Sequence, residues 1–154
     1  MHDTIPRVDW LLKPPGLIRS AACYSAFLID GRLHLLRSGP GWQKLSDAYA
    51  IVGNVVVDRQ IAKNRAFLQQ MQGWDLARDV PQRAEISYRL DALESVSVKE
   101  YPHVHIAEIR IKAREGEPGK IRLVAQDLLG DPQQRRAFFA HIPAREDAHA
   151  LGSG

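Results

Sequence analysis

The stretch Ala26-Phe-Leu-Ile-Asp-Gly-Arg-Leu-His-Leu-Leu36 decides the fold. Asp30-Gly31 stands between two apolar runs, and that pair is the strongest short-range hairpin signal because both turn positions take positive φ. We read strands near 18–29 and 32–37. On the first, Cys23, Phe27 and Ile29 lie on one face and Tyr24, Ala26 and Leu28 on the other, so cover is expected on both sides of the sheet.

Beyond the hairpin, Ser38-Gly-Pro-Gly41 breaks the strand pattern. Ser46 or Asp47 then offers an N-cap for a segment in which Tyr49, Val52, Val56, Ile61, Leu68 and Met71 recur at helical spacing. The spacing predicts a helical insertion over about 46–72, one helix or two, with any break at Gly53-Asn54 or the β-branched Val55-Val56-Val57. Its first half is too apolar for a solvated helix, and its second half, Asp58 to Gln72, is amphipathic, with Arg59, Lys63, Asn64 and Gln70 available for water. The surplus apolar side chains call for cover by Trp10 and Leu11 of the same chain or by a second chain. We therefore mark Tyr49, Val52, Val55 and Val56 as a candidate oligomer interface.

Gly73 to Arg83, with Pro81, reads as a polar connector. Ala84 to Val98 alternates with a step at Asp91-Ala92, which predicts two short strands or one bent one. After a turn at Tyr101-Pro102, Val104–Ala113 and Lys120–Ala125 form a second hairpin, with Ile109, Ile111, Ile121 and Leu123 facing inward. Asp131-Pro132 caps a closing helix that buries Phe138, Phe139 and Ile142. Residues 1–16, punctuated by Pro6, Pro14, Pro15 and Gly16, are expected to be an approach segment without a central strand. Residues 17–143 form a single domain, and 144–154 a disordered tail.

Composition narrows the classes. The 154 residues fit one domain. The single cysteine, Cys23, excludes a disulfide scaffold and a cysteine-based zinc site. No signal-peptide anatomy precedes Trp10, so a cytoplasmic protein is expected. The longest nearly uncharged run, Ala48–Val57, is about half the roughly 20 residues of a membrane span. With 21 Lys+Arg against 18 Asp+Glu the net charge is only +3, which disfavours nucleic acid as partner.

In the order strand, Asp-Gly turn, strand, helical insertion, alternating strands and final helix, the chain resembles a family of uncharacterised bacterial and archaeal domains with a pleckstrin-homology-like (PH-like, GRAM-like) fold. The residues that carry the resemblance are Ala26–Leu36, Ile51-Val-Gly53 running into the charged helix, and Ile86–Val98, within roughly 18–142. The resemblance implies an α+β, PH-like antiparallel sheet or partly open barrel, with a long helical insertion after the first hairpin and a C-terminal helix. It also implies a role in binding or assembly, and it brings no catalytic residues. The chain departs from phosphoinositide-binding PH domains, whose basic loop between the first two strands is here only Asp30-Gly31-Arg32.

For the second hairpin, symmetry about Glu117 places Lys112 opposite Arg122 and Arg114 opposite Lys120, with Arg110 one step further. Opposed like charges are mildly destabilising and persist where they bind an anion, although Glu108, Glu115 and Glu117 offset them. His103 and His105, two apart, could share one side of a strand, with His34 or His141 completing a metal site; exposed edge histidines are the simpler reading, and no metal is expected. Asp75/Asp79 reads as solvated surface. No Gly-x-Ser-x-Gly elbow, P-loop or dinucleotide fingerprint is present, so no catalytic residue and no cofactor is expected. The reading favours a non-catalytic module that self-associates or binds a protein, with binding of an anion, a nucleic acid or an anionic-lipid membrane surface through the basic face of the 109–125 hairpin as the alternative.

Overall fold

The computed structural model describes residues 4–14, 21–42, 55–143 and 145–147, with 55 and 145–147 described by backbone alone. The strands and helices in chain order are β1 (Arg7–Lys13), β2 (Ala22–Ile29), β3 (Arg32–Pro40), α1 (Val55–Gln70), α2 (Leu76–Arg83) and β4 (Ile86–Arg89). They continue with β5 (Leu93–Tyr101), β6 (Ile106–Ala113), β7 (Lys120–Gln126), α3 (Pro132–Ala140) and β8 (Arg145–Asp147). The chain is α+β. Seven antiparallel strands run in the order β4-β3-β2-β1-β7-β6-β5, and the short β8 joins the β5 edge in parallel.

Two meanders, β1–β4 and β5–β7, meet where β1 pairs with β7 at Leu11↔Ala125 and Leu12↔Val124. Tyr88 on one edge strand and Val96 on the other belong to the same apolar cluster, so the sheet curls around its own inner face. Phe138, Phe139 and Ile142 of the closing helix complete that cluster. Asp131 accepts from the Gln133 amide at 2.9 Å and Pro132 opens α3, the N-terminus that the sequence predicts. The β2–β3 turn is also as expected, with φ of 51° at Asp30 and 73° at Gly31.

The outer face of β1–β3 carries α1 and α2. Cys23 packs with Val57 and Ile61, whereas Phe27 and Ile29 pack with Met71 and Val80. The polar tie is Asn64 of α1, fully buried. Its Nδ2 donates to the carbonyls of Pro40 at 2.9 Å and Gln60 at 2.7 Å, and its Oδ1 accepts from Ser38 Oγ at 2.6 Å. Ser38 is the extra residue of a bulge, since Cys23 pairs with Gly39 but Tyr24 with Arg37. A Cβ on Gly39 would stand 2.9 Å from Asn64 Oδ1, so glycine there lets the helix approach.

Several expectations change. The approach segment contains the central strand β1: Pro6 and Pro14 lie just outside it, and the Pro6 carbonyl already accepts from Leu28. Ser38–Pro40 continue β3 because the bulge absorbs them. The polar connector contains α2 despite Pro81, because Val80 is fully buried and Asp79 Oδ2 accepts from the Asp75 amide at 3.0 Å. In the segment expected to be a disordered tail, residues 145–147 pair with Val96–Val98. Of the helical insertion, 55–70 is helix; Tyr49 and Val52 lie outside the described residues, as does the Val55 side chain.

Replacing Asn64 by Ala removes the side-chain donor to the Pro40 carbonyl and the nearer acceptor of Ser38 Oγ, which keeps only its longer bond to the Cys23 carbonyl at 3.2 Å, in a closed interface. We expect a loss of about 2–3 kcal/mol in urea unfolding; a change below about 0.5 kcal/mol, the ordinary surface-substitution range, would show that the tie is dispensable.

Candidate anion-binding face

The outer face of β5–β7 differs from that of β1–β3. Near α1 its residues are apolar: Ile106 and Val124 pack with Leu12, Trp10 and Ile61. Further along the hairpin they become Arg110 and Lys112 on β6 and Arg122 and Lys120 on β7. Among the described residues no helix covers this end.

The register places Arg110 opposite Arg122 and Lys112 opposite Lys120. The hairpin is therefore symmetric about Gly116, not Glu117, and the expected pairs Lys112/Arg122 and Arg114/Lys120 are corrected. The reason is the turn: Gly116 takes a φ of 109°, and the Ala113 amide closes it by donating to the Gly119 carbonyl at 2.8 Å. Arg114 thereby leaves the strand. Its amide donates to Ala92 O at 2.8 Å and its Nη2 to Asp91 O at 2.9 Å, so it is not part of the cationic face.

On β5, Ser97 lies beside Arg110 and Ser95 beside Lys112. The two serines and four cations line an open cleft of about 560 Å³. Neither serine side chain forms a hydrogen bond among the described residues. Cations two residues apart along a strand are separated by about 6.8 Å, and directly opposed ones by about 4.5–5.5 Å at Cα.

Two carboxylates moderate this charge. Glu108 lies between Arg110 Nε at 2.6 Å and Arg122 Nη2 at 3.0 Å, and Glu94 reaches Lys112 Nζ at 3.3 Å. Lys120 has no ion pair among the described residues. Four cations against two carboxylates leave a surplus of two positive charges. Burial pushes the Glu108 carboxyl up, but hydrogen bonds from Arg122 and Arg110 outweigh it and hold the group below the usual carboxylate range. Ser95, Ser97 and Glu94 escaped the sequence reading. The signal for the two serines was the alternation of β5, which puts them on the face of Lys112 and Arg110 once the register is known; Glu94 has the other parity and sits at the irregularity between Leu93 and Ser95, which alternation does not foretell.

The histidines do not converge, and no group of three His, Cys, Asp or Glu gathers among the described residues. His103 lies in the turn Pro102–Val104 and His105 takes a left-handed φ of 58°, so the pair does not share a strand face. His141 is exposed after α3. His34 is buried on β3 with Nδ1 2.7 Å from Ser87 Oγ, and burial, then Arg32, lowers its pKa. Cys23 is the buried small side chain expected, its thiol pushed up to about 12 by burial. Asp75 and Asp79 serve the start of α2.

Comparison with protein-family models, with curated proteins and with solved structures gives no significant match to the chain.

Because the folded-state pKa of His34 is lowered, the unfolded chain takes up this proton first. The stability gained from the neutral ring is full above the unfolded value of about 6.5 and is lost as pH falls below it. Urea unfolding of wild type and His34→Gln between pH 8 and pH 5 should show the wild type losing more stability on acidification; identical slopes would contradict this.

Proposed function

We propose that the chain is a non-catalytic, PH-like binding module whose working surface is the bare cationic face of β5–β7, and that its partner is a repetitive polyanion. The observation that carries the reading is the pair of like-charge cross-strand neighbours, Arg110↔Arg122 and Lys112↔Lys120, flanked by Ser95 and Ser97. Like charges opposed across a sheet are destabilising, and a bound anion turns that cost into attraction. The face offers N–H and O–H donors from four cations and two serines on a sheet rather than in a closed pocket, an arrangement suited to binding. The PH-like part of the proposal is supported by the two meanders joined through β1 and β7 and by the helix that plugs the curled sheet.

Self-association through the insertion is a second reading. It is favoured by Val56, 64% exposed in the first turn of α1. The inner side of that turn is already covered by the same chain, since Val57 packs with Trp10 and Leu12. Trp10 and Leu12 thus pack with Val57, whereas Leu11, the other residue expected to cover the insertion, faces the inner core. Light scattering should report a mass that rises with concentration and falls for Val56→Asp; a constant monomer mass would remove this reading.

The polyanion reading is tested on immobilised heparin. Wild type should be retained and released by salt, as counterion release requires. Lys112→Glu with Arg122→Glu should elute early, and Glu108→Gln, which unpairs Arg110 and Arg122, should elute later than wild type. Unchanged elution of the double variant would overturn the proposal.

A further inference from the structure

A second recess lies elsewhere on the molecule and shares no residue with the cationic face. It runs between α1 and the loop joining β7 to α3, with β1 beneath. Two adjoining hollows of about 400 and 420 Å³ have Arg65, Gln69 and Leu129 in common, so they form one trough. From Asp58 to Gln69 the helix rises about 16 Å, enough for roughly five residues of extended chain.

The floor is built on an unusual backbone. Trp10 is bulky yet takes a φ of 64°, a conformation such residues rarely adopt and one that clusters at binding sites. The bulge between Val8 and Leu11 directs both Asp9 and Trp10 toward this side. The Arg65 guanidinium stands 6.0 Å over the Trp10 ring and makes no hydrogen bond or ion pair among the described residues.

The remaining polar groups face the trough with bonding capacity to spare. Asp9 Oδ1 accepts from Arg7 Nε at 2.9 Å and from Ser25 Oγ at 2.6 Å, which leaves Oδ2 as an acceptor. The Gln69, Gln72 and Gln134 amides line the same hollow, each with both a donor and an acceptor. A row of amides suits a ligand that alternates N–H and C=O along its length, and the unpaired guanidinium midway suits a carboxylate. Leu68 and Leu129 line the same hollow and give it an apolar side.

We infer that this trough binds an extended peptide segment of about five residues with an Asp or Glu side chain over Arg65 and an apolar neighbour against Leu68 and Leu129. The carboxylate forks onto Arg65, the peptide groups pair with the glutamines and Asp9, and Trp10 forms the floor.

The experiment pans a random heptapeptide phage library against the full chain, against Arg65→Glu, and against the Lys112→Glu, Arg122→Glu double variant. Enrichment of peptides with an acidic residue next to an apolar one is expected. A synthetic copy should bind wild type and quench or shift Trp10 fluorescence. Its affinity should fall at least about tenfold for Arg65→Glu and measurably for Gln69→Ala, and stay within about twofold for the double variant. Circular dichroism confirms that each variant is folded. No enrichment over background, enriched peptides indifferent to Arg65→Glu, or binding lost in the double variant would each overturn the assignment. The last of these would assign the peptides to the cationic face, so the two proposals fail separately.

Discussion

Strand β1 pairs with β2 on one side and, at Leu11 and Leu12, with β7 on the other, and a one-residue bulge in it decides which side chains reach each face of the sheet. Val8 pairs with Ala26 and Leu11 with Tyr24, so three steps along β1 match two along β2. Val8 and Leu11 therefore both enter the inner core, while Trp10 and Leu12 meet α1 outside it. Without the bulge the alternation of two would send Leu11 and Leu12 to the wrong sides, and neither core would close.

The outer surface divides as a consequence. Where β1 approaches β7, apolar side chains demand cover, and α1 supplies it with Val57 and Ile61 while Asn64 fastens it to the β3 bulge. Where β7 runs beyond β1, its outward residues are Arg122 and Lys120, which need water or an anion instead. A separate polar anchor holds α3. Arg135, only 2% exposed, reaches Asp127 at 3.0 Å and Glu100 at 2.9 Å, and Arg136 shares Glu100 at 2.7 Å. Burial raises the Glu100 pKa, but the bonds from Arg136 and Arg135 prevail and hold it low. Removing Asp127 would leave the buried guanidinium with Glu100 alone, which it shares with Arg136, and removing both carboxylates would leave its charge uncompensated, the costly way to break such an arrangement.

The legible parts of the fold are those set by local chemistry. Asp30-Gly31 announces its own turn through positive φ, Asp131-Pro132 its own cap, and the alternation of Ile109, Ile111, Ile121 and Leu123 its own inward face. What the sequence concealed depends on partners distant along the chain. β1 is bounded by prolines and becomes a strand because β2 and β7 pair with it. The second hairpin slipped by one position in its centre because the left-handed site is Gly116. That slip expelled Arg114 and exchanged every cross-strand partner while leaving four of the five cations on one face. Asn64 reads as a surface residue of an amphipathic helix until Ser38 and Pro40 are placed beneath it. The trough could not be read at all, since Trp10, Arg65 and Leu129 come together only in three dimensions.

The division of the outer face into a helix-covered half and a bare cationic half is tested most directly by mapping backbone amide NMR shifts during titration with a heparin-derived hexasaccharide. Saturable shifts should concentrate at Ser95, Ser97, Arg110, Lys112, Lys120 and Arg122, with the amides of 55–83 unmoved. Shifts centred on those helices or on the Asp30-Gly31 turn, or no saturable shift, would contradict it.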